Sequence, residues 1–388
     1  MKNTPYYYLP SLLLLALCLL TGCHGRSTSS SSDADSLQVA ATTLTDTLHI
    51  GYAEGFRLDY EADGSILLDI HDPQRQETTH YRFRLMPPTA QHEGTDGIPQ
   101  LGIPIRRAIC MTSLQLSNFI KLDALDHVSG ITSARHLFNE DVKARVSDGR
   151  IMRIGFEGEF DSEVILAAAP DVVLISPFKR GGYDALKDGG IPLIPHLGYK
   201  ELTPLGQAEW LKLVGLLTGK VTEASVLFDS IAARYNRLRT LAADVEQRPV
   251  ILSGDMKGGN WYAQGGRSFM ARLIEDAGGR YFLHDNAESG GVTLDFETVY
   301  AMAESADFWR INNSHHGTFT YDDLRDLDAR YADFRAFRQH HVVYCNMSQR
   351  PFYEAMPVEP DAVLADLIHA FHPDLLPDHT PRFYQLLP

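Results

Sequence analysis

The sequence predicts an α/β protein: two lobes built on mostly parallel sheets, joined by one long helical backbone, with a small β region ahead of them. Three observations predict it. Short apolar, β-branched runs alternate with helix-like segments over residues 104–202 and again over 247–388, the pattern of parallel sheets covered by helices. Residues 203–246 hold no strand-like run, and Ala224, Leu227, Phe228, Ile231, Tyr235, Leu238, Ala242 and Val245 recur there at steps of three and four, one face of a helix. Residues 47–87 alternate apolar and polar side chains at the two-residue period of half-buried strands. A chain of 388 residues favours two or more domains.

In chain order, Lys2 and the apolar run LPSLLLLALCLL come first. A spanning helix needs about 20 residues, and this run has the length of a signal-peptide core. It ends in LTGC at residues 20–23, which resembles a bacterial lipobox. That resemblance implies a signal peptide over 1–22 and lipid attachment to Cys23. The Ser-rich stretch that follows cannot form a core and suits a flexible tether over 23–46. Residues 47–103 read as a small β region ending in the linker PTAQHEGTDGIPQLGIP. In the first lobe, RRAICMTS, RIMRIGF, DVVLISP and IPLIPH read as strands, with LQLSNFIKLDAL, SEVILAAA and YDALKDGG as helices. Gly219 is a point where the helical connection can divide. In the second lobe VILSGD, DFWRIN and HHVVYCN are strands; SFMARLIEDAGG, FETVYAMAES and DAVLADLIHAF are helices. Cys110 and Cys345 fall in strand-like runs far apart in sequence and are expected as buried free thiols. FDSEVILAAAPDVVLI in the first lobe has a faint echo in LDFETVYAMAESADFWRI in the second.

Together SEVILAAAPDVVLI (162–175), GGIPLIPH (189–196), TPLGQAEWLKLVGLLTGK (203–220), GGRSFMARLIEDAGG (265–279) and DFETVYAMAESADFW (295–309) resemble the substrate-binding lipoproteins of bacterial ABC importers. The likeness is to the helical-backbone class that carries siderophores, haem and cobalamin, and it covers roughly residues 104–388. It implies two Rossmann-like lobes, capture without chemistry, and delivery of ligand to an ABC permease and its ATPase. It also implies a monomer in the cell envelope, held to a membrane by the lipid and facing the periplasm or the outside. In the family an exposed glutamate on each lobe docks onto the permease; the matching positions are Glu163 and Glu297. Both also open helices, where a carboxylate is stabilised by the helix dipole.

Ligands of open parallel sheets bind beyond the carboxyl ends of the strands. That rule places MTSLQ, FEGEF, PFKRGGY, HLGYK, KGGNWYAQGGRS, NNSHHG and NMSQRPFY at the cleft. The candidate ligand-binding residues are Phe178, Arg180, Tyr199, Trp261, Tyr262 and Arg267. Trp261 and Tyr262 are adjacent, so on an extended chain they point to opposite sides and one at most faces ligand. Aromatic area with cations suits a large, flat, anionic ligand, since guanidinium groups pair carboxylate or catecholate oxygens. A ferric siderophore or haem fits that description, as cargo and not as an intrinsic cofactor. Cobalamin binders of the family carry aromatics just before both docking helices; here the stretches around Glu157 and Gly291 are acidic and glycine-rich. Zinc or manganese binding would call on converging histidines and carboxylates. Sixteen histidines are present, yet only His196, His315 and His316 stand at strand ends that face the cleft. His196 and Tyr199 are the candidates for a haem ligand.

The formal net charge of −15 argues against nucleic acid, whose partners carry a basic face. The chain has no G-x-S-x-G and no H-E-x-x-H, and GGNWYAQGGRS fails the P-loop pattern because Arg267 stands where lysine is required. No enzymatic activity is expected.

Overall fold

The computed structural model describes residues 47–75, 79–91, 96–134, 136–156, 159–176 and 183–388. Cys23, Phe178 and Arg180 lie outside the described residues, as do the signal and tether segments.

The β region is a four-stranded sheet. β1 (Phe56–Tyr60), β2 (Ile66–Ile70) and β3 (Tyr81–Met86) form an antiparallel meander. β4 (Gln100–Gly102) lies in the stretch read from sequence as a linker, and it pairs parallel to β3. Three residues are too few to show a period, which is why the pattern alone missed it.

The first lobe follows with β5 (Ala108–Cys110), α1 (Ser113–Lys121), β6 (Val128–Ile131), α2 (Glu140–Ser147), β7 (Met152–Arg153), β8 (Gly155–Phe156), β9 (Glu159–Phe160), α3 (Ser162–Ala168), β10 (Val172–Ile175), α4 (Asp184–Asp188) and β11 (Leu193–Pro195). Its sheet has the order β11-β10-β5-β6-β7 and every pairing is parallel. Thr112 and Gln115 close a capping box on α1, satisfying donors that helix starts leave unpaired. β6 was not read from the sequence: VSGI is short, and its Ser and Gly carry no strand preference.

The connection is helical and Gly219 divides it, adopting φ +75, a left-handed turn that favours glycine. α5 (Pro204–Thr218) is buried along all of its 15 residues. α6 (Val221–Ala243) is amphipathic, with 23 residues. At about 1.5 Å per residue it is a rod roughly 34 Å long. At its start Lys220 Nζ donates to the carbonyls of Leu122 and Asp123 in the first lobe. Farther along, Tyr235 donates to Asp276 in the second lobe. α6 is therefore the backbone that spans both lobes. The segment leading into β1 is held by two buried carboxylates, Glu209 on α5 and Glu201 just before it. Glu209 accepts from the N–H groups of Gly51, Tyr52 and Ala53, and Glu201 from those of Glu54 and Gly55.

The second lobe comprises β12 (Val250–Ser253), β13 (Asp255–Lys257), β14 (Asn260–Gln264), α7 (Phe269–Asp276), β15 (Arg280–Tyr281), β16 (Gly291–Leu294), α8 (Phe296–Ala303), β17 (Phe308–Asn313), α9 (Tyr321–Leu327), α10 (Arg335–Arg338), β18 (Val342–Asn346), α11 (Phe352–Ala355), α12 (Pro360–Phe371) and β19 (Gln385–Leu386). Its main sheet runs β15-β12-β17-β18-β19, parallel except for the β18–β19 edge. β13, β14 and β16 form a separate antiparallel sheet. The whole is the α/β class expected, two lobes with mostly parallel sheets. Cys110 and Cys345 are buried free thiols.

Candidate functional site

The carboxyl end of β6 meets those of β17 and β18. Between them lies a cavity of about 470 Å³ walled by His136, Leu137, Phe138 and Lys143 from the first lobe and by Ser314, His316, Met347 and Ser348 from the second. A second cavity of about 340 Å³ shares His136 and Leu137 and extends past Met111, Thr112 and Ser113 at the end of β5 to Tyr353. The His136 and Tyr353 rings are 5.9 Å apart. Cavities of this size suit small molecules, and the position follows the strand-end rule. A larger concavity of about 640 Å³ beside Ile103–Arg106, His127 and Asp171 lies at the amino ends of the first lobe's strands, away from the cleft.

The walls are tied down. Glu354 accepts from the Phe138 N–H at 2.9 Å through each oxygen, a hydrogen bond between lobes. Burial raises the Glu354 carboxyl above its ordinary range against the lowering effect of these donors. Lys121 Nζ of α1 pairs with Glu359 at 2.8 Å, a second tie between the lobes. Asn346 accepts from His315 N–H and donates to the His315 and Gly317 carbonyls, fixing the loop that carries His316. His136, His316 and Lys143 are exposed and Tyr353 is half-buried, so ring, imidazole and ammonium groups are presented to the opening.

Trp261 is a correction. It is fully buried, donates to the Ser253 carbonyl at 3.0 Å, and packs on Trp309, Tyr331 and Phe334. The apolar side of β14 turns into the core, where a large ring excludes the most water. Tyr262 points the other way and is 43% exposed, with Lys257 Nζ 5.6 Å from its ring. Arg267 is exposed beside the Ser268 cap of α7, and its backbone N–H donates to Glu288. Tyr199 is half-buried in the turn Gly198–Lys200, next to Lys200, which sits 3.4 Å from Asp72 of the β region. Neither cavity is lined by Tyr199, Tyr262 or Arg267. His196 is buried away from both cavities, against Trp210 and with its Nε2 3.3 Å from Asn118 Nδ2, so it does not reach the cleft in this arrangement; burial depresses its pKa to about 3.

Glu163 and Glu297 occupy matching places. Each stands exposed in the first turn of its helix, α3 or α8. Asp161 and Asp295 cap the two helices by accepting from backbone N–H groups. Glu297 is 3.8 Å from Arg330. Exposed apolar side chains accompany both: Phe156 and Leu166 near α3, Met302 on α8.

His136, Lys143 and Tyr353 were not singled out from the sequence. Recognising VSGI as a strand would have brought TSARHLF to the cleft by the same rule that placed the other loops.

The chain is 20% identical over 311 residues to an uncharacterized lipoprotein of Methanocaldococcus jannaschii, covering 77% of this chain and 73% of that one. A periplasmic heme binding protein from Pseudomonas aeruginosa superposes with a TM-score of 0.57 at 18% identity, covering 72% of this chain and 96% of that one. The molybdate periplasmic binding protein MolA of Haemophilus influenzae gives 0.54 at 17% identity, covering 71% and 88%. At these identities the superpositions speak for the fold. The periplasmic binding protein family model matches residues 109–348, from the second residue of β5 to the loop beyond β18. That span holds the connection, most of both lobes and the cleft walls other than Tyr353, and the chain belongs to the periplasmic binding protein family.

Proposed function

We propose that the protein is the substrate-binding component of an ABC importer that captures an iron compound, a ferric siderophore or haem, in the cleft between its lobes. The observation that carries this reading is the wall shared by the two lobes: His136, Phe138 and Lys143 face His316 and Met347, with Tyr353 alongside. Aromatic rings offer area to a flat ligand, and an exposed ammonium offers a partner to its anionic groups. The solved relatives named above bind heme in one case and molybdate in another, so the fold accepts more than one anionic cargo. Among the described residues no carboxylate lines either cavity, which favours an iron compound over bare zinc or manganese. Cobalamin ranks behind the iron compounds because the sequence around Glu157 and Gly291 departs from the aromatic pattern of the family's cobalamin binders.

Delivery follows from the same frame. Glu163 and Glu297 would meet basic residues of the permease, whose ATPase drives import. Cys23 would carry the lipid that holds the protein at the envelope membrane, and the ligand would be released without chemical change.

Calorimetric titration of purified protein with haem, a ferric hydroxamate, a ferric catecholate, cyanocobalamin and molybdate tests the reading. One of the iron compounds should bind at least about tenfold tighter than cyanocobalamin or molybdate, a difference of about 1.4 kcal/mol. His136→Ala and Tyr353→Ala should each weaken that binding. Preference for cyanocobalamin, molybdate or a bare cation would refute the iron assignment.

A further inference from the structure

The β region carries a cluster that the transport reading does not use. Asp69 and His71 are two residues apart at the end of β2, so they face the same side of the sheet. His80 and Arg82 stand in the same relation at the start of β3. The register pairs Asp69 with Arg82 and Ile70 with Tyr81, which sets His71 opposite His80 one step beyond the last pair. The sequence D-x-H on one strand and H-x-R on its neighbour thus folds into a block of four side chains.

Within it, ligand atoms of Asp69, His71 and His80 all lie within 4.8 Å of one another. The two imidazole rings stack with centroids 5.3 Å apart and an angle of 24°. His80 Nδ1 is 2.6 Å from Asp69 Oδ1. Asp69 is buried, with its side chain 3% exposed. Its other oxygen, Oδ2, is held by Arg82 at 3.4 Å and by Arg57 at 3.5 Å. The two arginines therefore fix the carboxylate and leave Oδ1 directed at the histidines. Both are more than half exposed, at 54% and 65%, so solvent screens their charge. His71 is positioned by its backbone, whose N–H donates to the Gly55 carbonyl at 2.9 Å.

We infer that Asp69, His71 and His80 form a site for a divalent transition-metal ion, separate from the cleft. Two imidazoles and one carboxylate select Zn²⁺, Ni²⁺ or Cu²⁺ over the oxygen-seeking Mg²⁺ and Ca²⁺. The ion takes the place of the proton shared between His80 and Asp69 and releases it to solvent. Ligand distances of about 2.0–2.2 Å then require only a small opening of that pair. Three protein ligands leave a fourth position for water. A metal there closes the mouth of the β2–β3 hairpin, beside the Asp72–Lys200 pair that links this sheet to the first lobe.

The test uses purified protein without a histidine tag, freed of metal by chelator. Zn²⁺ is titrated by calorimetry, with stoichiometry from native mass spectrometry and a parallel Mg²⁺ titration. One Zn²⁺ per chain should bind and Mg²⁺ should not. His71→Gln and His80→Gln should each lower affinity at least about tenfold, since loss of even an outer-shell partner costs that much. His136→Gln with His316→Gln, which removes the cleft imidazoles, should leave it unchanged. Both hairpin histidines are at least partly exposed, so the Gln variants should keep the wild-type circular dichroism spectrum. The inference is overturned if wild-type protein takes no Zn²⁺, or if binding survives loss of both hairpin histidines. It is equally overturned if binding is lost only with the cleft pair. None of these results depends on which ligand the cleft takes.

Discussion

His196 shows how much one buried side chain sets. Burial holds its folded pKa at about 3, while an exposed or unfolded histidine titrates near about 6.5. The folded pKa is depressed, so the stabilising contribution is present above the unfolded pKa and is lost as pH falls toward the folded one. The unfolded chain takes up a proton that the native imidazole refuses. Stability should drop by about 2 kcal/mol between pH 7 and pH 5 from this group alone. Urea denaturation at the two pH values checks it, and His196→Gln should show a correspondingly smaller drop. The pair Trp261 and Tyr262 makes a second case. Trp261→Ala should cost about 3–5 kcal/mol by emptying a core site, whereas Tyr262→Ala on the exposed side should change stability by about 0.5 kcal/mol or less. Denaturant midpoints of the two variants would separate these roles, and equal losses would contradict the burial seen for Trp261.

At the scale of elements, the α5–α6 contact depends on a missing side chain. A Cβ on Gly215 would stand 2.4 Å from the Ala224 Cβ, closer than packed carbons approach. Gly215→Val should therefore force the helices apart and destabilise by about 1–3 kcal/mol or more, read as a lowered melting temperature. The β sheet is joined to α5 differently, through polar groups. Glu209 is buried, accepts three backbone N–H groups and pairs with Lys212 Nζ at 2.9 Å. Glu209→Ala would leave a buried ammonium and three donors without their carboxylate. A loss of about 3–5 kcal/mol is expected by chemical denaturation, with amide exchange accelerated first over residues 48–70. A change below about 1 kcal/mol would mean that the sheet is held by its apolar contacts instead.

At the scale of the molecule, α6 spans the lobes while Glu354–Phe138 and Lys121–Glu359 tie them near the cleft. Such ties leave little freedom for hinge motion. Small-angle scattering should show no large change in radius of gyration when ligand is added; a marked contraction would refute this rigid frame. The two exposed glutamates sit on matching helices of the two lobes. Replacing both by arginine should abolish uptake in cells while leaving ligand affinity of the purified protein intact. Uptake that survives the double charge reversal would remove Glu163 and Glu297 from the docking role.

The sequence by itself determined the class and the order of its parts. Alternating short apolar runs and helical periods are local properties, and they announced two α/β lobes with a helical stretch between. That Glu163 and Glu297 open two helices was legible for the same reason, since a helix start is read within a few residues; their pairing came from the family resemblance, and the Asp161 and Asp295 caps came from the structure. Tertiary structure decided which side chains reach the cleft. Trp261 went to the core and Tyr262 to the surface because the register of β14 chose the buried side. His136 and Tyr353 met only because α11 of one lobe packs beside the β6 loop of the other. The β6 run is too short to declare itself, and a contact across more than two hundred residues leaves no period in a sequence. The Asp69–His71–His80 block lies between these extremes. Its two-residue spacings are written in the chain, but the hairpin register alone sets the strands so that the three groups converge.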